Sequence, residues 1–150
     1  MLENMKEIIA HLVYPSPLLI FGFMFMIFFD LLTGIRKASK NGEATTSRGL
    51  RNTIDKTGSY ITLILSVLII INITAVSDSA ENFANLFHYS INGLIIGCTY
   101  IELKSILENL ILINTDKSGK KTDLCVYFLI PMHGILIMNL NKFKKQEDEK

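Results

Sequence analysis

The chain has 150 residues, of which 49% are hydrophobic and 19% are charged, and its net charge is +1. This composition excludes a disordered chain, a collagen-like fibre and a disulfide-rich scaffold, and the length leaves room for a single domain, residues 1–150. The totals do not separate a soluble domain from a membrane protein, so the positions of the charges decide between them.

The charged residues avoid four long stretches of the chain. No Asp, Glu, Lys or Arg occurs in residues 8–29, 57–77, 82–101 or 124–141, which are 22, 21, 20 and 18 residues long. A helix needs roughly 20 apolar residues to cross the hydrocarbon core of a bilayer, and an amphipathic helix of a soluble protein presents charge to water over such a length. We therefore predict an all-α integral membrane protein, a helical hairpin or bundle with three transmembrane helices, an N-terminal interfacial helix and a C-terminal apolar segment.

The N-terminal part of the chain combines an amphipathic segment with the first crossing. Residues 1–15 place apolar side chains at helical spacing, which predicts an amphipathic helix in the membrane interface. Pro17 suits the first turn of the next helix, and we predict the first crossing over residues 17–36.

A basic loop, residues 37–56, is predicted to follow on the cytoplasmic side. Residues 36–56 carry six basic and two acidic side chains, a net charge of +4. Asn41 and Gly42 predict a turn. The sequence Thr45-Thr46-Ser47 offers N-caps for a helix that begins near Arg48 and continues into the second crossing, residues 57–77.

The third crossing, residues 83–103, does not end the helical pattern. We predict one helix over residues 84–113, about 45 Å long, so that residues 104–123 form an amphipathic cytoplasmic extension with a polar turn. Residues 124–141 predict an interfacial segment or, alternatively, a fourth crossing, because their 18 residues are short for a full span. Residues 142–150 are a charged tail.

The distribution of Lys and Arg predicts the orientation. With three crossings and the N-terminus outside, 14 of the 15 basic residues lie on the inner side. A fourth crossing would move the four lysines of the tail outside, which leaves ten basic residues on the inner side and five on the outer side. Because cytoplasmic loops are enriched in Lys and Arg, we predict three crossings with the C-terminus in the cytoplasm.

The sequence shows no constellation of catalytic residues. Its three histidines lie in different segments, its two cysteines are isolated, and no glycine-rich phosphate loop occurs. We expect no enzyme activity, no cofactor and no metal. The basic residues of the loop are explained by topology and by anionic membrane lipids rather than by nucleic acid.

Ionisable and small residues near the membrane are the informative features. Ionisable groups within lipid are costly and usually face the protein interior or water, and the candidates here are Asp30, Lys56, Glu102, Lys104 and Glu108. A second set consists of helix-face patterns: a polar stripe that would line an aqueous path in an oligomer and a small-xxx-small pair that favours close packing of helices. They are Glu102, Ser105 and Asn109 for the stripe, and Gly93 and Gly97 for the pair.

Two motifs in the same order resemble the phage lysis and toxin-secretion holin family. The first is Asp30-Leu-Leu-Thr-Gly-Ile-Arg-Lys-Ala38, with Thr33 and Gly34, followed by the stretch from Ser47 to Lys56. The second is Glu102-Leu-Lys-Ser-Ile-Leu-Glu-Asn109, which contains Ser105 and Glu108. The resemblance covers residues 18–113 and adds Thr33, Gly34 and Ser47 to the candidate residues.

The resemblance implies a homo-oligomer in the bacterial cytoplasmic membrane that opens lesions at a set time. The lesions would release or activate an endolysin without requiring direct contact with it, and an antiholin is a further partner that the resemblance allows. The residues leave two alternatives open. One is a small ion channel or proton-coupled transporter with Asp30 or Glu102 as its coupling site, and the other is a membrane adaptor whose basic loop binds a soluble partner.

Overall fold

The computed structural model describes residues 14–42, 47–75 and 84–148, and this part of the chain is helical without a β-strand. It contains helices α1 (Pro17–Lys40), α2 (Ser47–Ala75), α3 (Ala84–Ile113) and α4 (Ile130–Asp148), with a π-helical turn, Cys125–Leu129, directly before α4. The predicted interfacial helix falls mainly on residues 1–13, which lie outside the described residues. The all-helical fold class is confirmed.

The ends of α1 follow from local sequence chemistry. The helix begins at Pro17, where the fixed φ of proline is already helical and its missing N–H is not needed. It ends at Lys40, and Gly42 follows with a φ of +69°, a left-handed conformation that favours glycine. The predicted turn at Asn41-Gly42 is confirmed.

The second helix begins at Ser47, within one residue of the predicted start. Its bounds also show that the segment predicted as a loop is largely helical, because α2 already covers residues 47–56. Only residues 41–46 separate α1 from α2 along the chain.

Two helices of the described chain are long and apolar enough to cross a membrane, Pro17–Lys40 and the Arg51–Thr74 part of α2. Only 11% of the most apolar window of each is buried. Large apolar side chains such as Leu18, Phe21 and Ile73 are instead 81%, 65% and 70% exposed. The core helix of a soluble protein would bury such residues, so these two helices have the surface of membrane helices.

The single helix predicted over residues 84–113 is confirmed, but a third membrane span is not. The reason lies in the distribution of polar residues along α3. Its first half carries His88, Ser90 and Asn92, and its second half carries the charged residues Glu102, Lys104 and Glu108. No stretch of span length in α3 is therefore both strongly apolar and nearly free of charge.

The chain divides into two compact units. Unit 1 comprises Met1–Phe25 and Ile54–Thr99. Its core includes Ile91 and Ile95, which are 0% and 1% exposed, and an edge-to-face pair of the rings of Phe23 and Tyr60, whose centroids are 5.5 Å apart. The Ser16 amide donates to Asn92 Oδ1 at 2.9 Å, which ties the segment before α1 to α3.

Unit 2 comprises Met26–Thr53 and Tyr100–Lys150. In its core, Leu107 of α3 packs with Cys125, Leu129 and Leu136 of the C-terminal segment. The π-helical turn has a local cause, since Pro131 has no N–H to continue an α-helical ladder. The Ile130 N–H instead donates to the Cys125 carbonyl, five residues back.

The connection between α3 and the π-helical turn is a hydrogen-bonded loop organised by Asp116. Asp116 Oδ1 accepts hydrogen bonds from the Ser118 amide at 2.9 Å, the Ser118 hydroxyl at 2.7 Å and the Lys120 amide at 2.8 Å. Gly119 has a φ of +83° in this loop. The Ser118 hydroxyl and the Lys120 amide, which favour the charged carboxylate, lower the pKa of Asp116 below its usual value of 3.8.

Candidate functional site

The candidate site in unit 2 is a buried polar cluster around Asp30. Asp30 lies on α1 and is only 8% exposed, in a helix that otherwise presents apolar side chains at its surface. One turn later, the Thr33 hydroxyl is within hydrogen-bond distance of two carbonyls of its own helix, Phe29 O at 2.9 Å and Asp30 O at 3.1 Å. Thr33 thereby keeps an oxygen available as an acceptor next to the carboxylate.

Asn109 of α3 joins the cluster from the other sequence motif. Its Nδ2 donates to Asp30 Oδ1 at 3.2 Å and lies 3.4 Å from Thr33 Oγ1, and Asn109 itself is 9% exposed. Asn109 lies 79 positions after Asp30 in the sequence, and the structure brings the two motifs into direct contact. One amide therefore binds both polar side chains of the Asp-x-x-Thr-Gly element.

Gly34, the last residue of that element, lies beside the same amide. A Cβ added to Gly34 would be 3.9 Å from Asn109 Nδ2, which is an ordinary van der Waals distance. The packing within this chain therefore does not require glycine at this position.

Glu102 has the most deeply buried carboxyl group of the described chain, with an exposure of 0%. It lies seven residues before Asn109 on α3, a spacing that places both on the same side of the helix. Ser105, between them, is half-buried. The predicted polar stripe thus points into the protein in this structure, and unit 2 encloses two carboxylates, those of Asp30 and Glu102.

Glu108 belongs to a different contact. Its Oε1 accepts from Lys104 Nζ at 2.6 Å and lies 3.3 Å from His133 Nε2 of α4, and its side chain is 44% exposed. Glu108 therefore links α3 to α4 at the surface rather than joining Asp30 and Asn109.

The remaining predicted residues are not part of the cluster. Gly93 and Gly97 are exposed on α3, and a Cβ at either would meet no atom within 4 Å. Close packing at this pair is therefore absent within the described chain. Lys56 is half-buried on α2 and belongs to unit 1, and Ser47 is the first residue of α2.

Sequence reasoning missed the contact of Lys40 with the end of α3. Lys40 Nζ donates to the carbonyls of Leu112 at 3.3 Å, Ile113 at 2.5 Å and Thr115. These carbonyls lack helical partners at a C-terminus, where a positive charge is also favourable. The only signal in the sequence was a lysine in the last turn of α1, which does not reveal that it binds a different helix.

A polar stripe on α2 was also missed, although its spacing was visible. Asp55, Ser59, Thr62 and Ser66 line a shallow groove on one face of this helix. Each of the three hydroxyls donates to a carbonyl four residues back, at 2.8 or 2.9 Å. The stripe therefore satisfies its donors within α2.

Across residues 14–42, 47–75 and 84–148, no group of three or more His, Cys, Asp or Glu side chains is placed to hold a metal ion. The cluster consists of the Asp30 carboxylate, the Asn109 amide and the Thr33 hydroxyl, and the Glu102 carboxylate is buried on the same side of α3 as Asn109. Such an arrangement binds helices together and keeps ionisable groups away from lipid.

Comparison with known proteins supplies the family. The model of the bacteriophage holin family matches residues 7–121, which is most of the chain and includes both sequence motifs. No curated protein and no solved structure matches the chain. The holin family is not a family of enzymes. The matched range and the membrane-type helices together show a phage holin-like membrane protein, and the chain belongs to the bacteriophage holin family.

Proposed function

We propose that this protein oligomerises in the bacterial cytoplasmic membrane and opens lesions that release or activate an endolysin, which leads to lysis of the host cell. The observation that carries the proposal is the burial of Asp30 and Glu102, 8% and 0% exposed, in a chain whose long helices have apolar surfaces. Membership of the holin family supports the same function. Endolysin need not contact the protein, and an antiholin is an optional partner.

The buried carboxylates provide a physical reason for two states. An ionisable group inside a membrane is costly unless it is enclosed by protein or hydrated. In the closed chain, Asp30 is enclosed and bound by Asn109. In an oligomer, the same faces of α1 and α3 would turn to a water-filled lumen, where hydration stabilises the carboxylates. High density in the membrane would favour this second arrangement, since it requires several copies.

The proposed membrane arrangement has α1, α2 and α3 as crossings, with the N-terminus outside. Residues 36–56, which comprise the end of α1, the connection and the start of α2, then lie on the cytoplasmic side, in agreement with their net charge of +4. Anionic lipids of the inner leaflet are the expected partners of these basic residues.

The test is induced expression in a bacterium, with and without a cytoplasmic endolysin. The native chain should arrest growth when expressed alone and cause rapid lysis when endolysin is present. Glu102→Leu should delay or abolish lysis at equal membrane abundance, because an apolar side chain gains nothing from a hydrated lumen. Asp123→Asn is the control, since it also removes one carboxylate but at an exposed position, two residues before the π-helical turn begins.

Unchanged lysis timing of Glu102→Leu would contradict the role of the buried carboxylate. Depolarisation without endolysin-dependent lysis would instead identify a small ion channel or transporter. No change of permeability on induction would identify a membrane adaptor.

A further inference from the structure

The C-terminal segment, residues 124–141, has apolar side chains on both faces. Its inner face carries Cys125, Leu129 and Leu136, which are 0%, 8% and 5% exposed and pack against α3. Its outer face remains uncovered within the described chain, with exposed fractions between 62% and 72% at Tyr127, Phe128, Ile135 and Met138.

This surface does not fit a helix that lies flat in the membrane interface. An interfacial helix needs a strongly polar or charged face toward water. Residues 124–141 contain no charged residue on any face. The polar side chains of this segment are His133, which lies 3.3 Å from Glu108 Oε1, and two asparagines near its end, Asn139 and Asn141, and the rest of its surface is apolar. A helix with such a surface is surrounded by protein or by hydrocarbon, and within the described chain protein covers only the inner face.

The contacts with α3 give the direction of this segment. Cys125 Sγ lies 4.0 Å from the Ile111 carbonyl, at the end of α3. The Tyr100 hydroxyl donates to the Leu136 carbonyl at 3.1 Å. Compared with the first contact, this one lies eleven residues earlier on α3 and eleven residues later on the C-terminal segment. The segment therefore runs back along α3, antiparallel to it.

Contacts between α1 and α3 give the depth. The apolar part of α1 ends before Arg36, which we take as the boundary of the hydrocarbon core. Asn109 of α3 contacts Asp30, which lies more than one helical turn inside this boundary. Lys40, beyond the boundary, binds the carbonyls of Leu112 and Ile113. Residues 100–109 of α3 thus lie at the depth of the apolar part of α1 that belongs to unit 2, and so does the segment packed on them.

We propose that residues 124–141 are a fourth membrane-inserted helix, which faces acyl chains through Tyr127, Phe128, Ile135 and Met138 and carries the C-terminus to the outer side. Eighteen helical residues span about 27 Å, close to the roughly 30 Å hydrocarbon core. The ten basic residues that stay inside still outnumber the five outside. The inference rests on the proposed insertion of α1 and α3, and it places the C-terminus opposite to the side that the charge count favoured.

Cysteine labelling of the full chain tests this proposal. The label is placed at Lys117→Cys, in the exposed loop after α3, or at Gln146→Cys, in the tail. The native Cys98 and Cys125 are buried, so the chain without an added cysteine serves as the background control. A membrane-impermeant maleimide is added to cells before lysis begins, with and without permeabilisation. Position 146 should label in intact cells at least about tenfold more than position 117. Labelling of both positions only after permeabilisation would overturn the proposal.

A second pair of variants tests the contact with lipid. Ile135→Lys places a charge against acyl chains and should prevent labelling at position 146 in intact cells, whereas Ile135→Leu should leave it unchanged. Equal labelling in both variants would contradict a lipid-facing position. A cytoplasmic protein with an exposed thiol must stay unlabelled in intact cells, which shows that the membrane is sealed. Lysis timing measured in parallel separates failure of this topology from failure of the holin function.

Discussion

Replacing Asn109 by Leu removes the amide that joins α1 to α3 at nearly constant side-chain size. The lost bond is a buried hydrogen bond from Asn109 Nδ2 to the Asp30 carboxylate, 3.2 Å long, and Thr33 loses the same neighbour. Hydrogen bonds to charged groups contribute about 1.5–3 kcal/mol net. A chain of this length loses roughly 2–4 °C of Tm per kcal/mol, so we expect a decrease of about 3–12 °C.

The assay is thermal unfolding of the purified chain in detergent micelles, combined with a double-mutant cycle that uses Asp30→Asn. The cycle should give a coupling free energy of at least about 1 kcal/mol between the two positions. Ser105→Ala is the matched control, because it removes a half-buried polar group one turn away on the same helix. A Tm unchanged by Asn109→Leu, or a coupling near zero, would refute the reasoning that this contact holds the two motifs together.

Three further predictions concern other contacts of the same structure. Lys40→Met should lower the Tm, because it removes the hydrogen bonds that Lys40 donates to the last carbonyls of α3. Lys37→Met, one turn earlier on α1, is the control and should leave the Tm unchanged. Equal effects of the two substitutions would contradict the capping role of Lys40. Asp116 has a lowered pKa, so its contribution to stability is complete above the unfolded value of 3.8 and is lost as the pH falls through the lower folded value. The free energy of unfolding of the native chain, measured with urea, should therefore fall at acidic pH, and the Asp116→Asn variant should not show this fall. Identical pH profiles of the two proteins would be evidence against the role of Asp116. Gly97→Ala should leave the Tm unchanged or slightly raised, because a Cβ there meets no atom within 4 Å. A large decrease in Tm would show that the chain itself packs closely at this glycine. A change seen only in crosslinking between copies of the protein would locate an interface there.

Local chemistry explains how much of the fold the sequence predicts. Pro17 and Gly42 act through their own backbone restrictions, so the start of α1 and the turn after it are readable without any tertiary contact. Continuous helical periodicity likewise predicts α3 from residue 84 to residue 113. The apolar stretches of α1 and α2 identify membrane helices, because lipid selects for hydrophobic length rather than for a particular partner.

The candidate site is only half readable from the sequence. Glu102 and Asn109 share a helix face by spacing alone, and Asp30 is noticeable because a carboxylate interrupts an apolar helix. The sequence does not say that the Asn109 amide reaches Asp30, since spacing along one helix carries no information about which helix lies opposite. The same limit hides the capping role of Lys40.

The sequence by itself determined that this protein is a helical membrane protein of the holin type, since charge-free stretches and two ordered motifs are properties of the chain. Tertiary structure decided where the polar groups point. It turned the Glu102 and Asn109 side chains inward, left Gly93 and Gly97 at the surface, and folded residues 125–136 back along α3. These outcomes depend on contacts between distant segments, and periodicity within one segment cannot specify them.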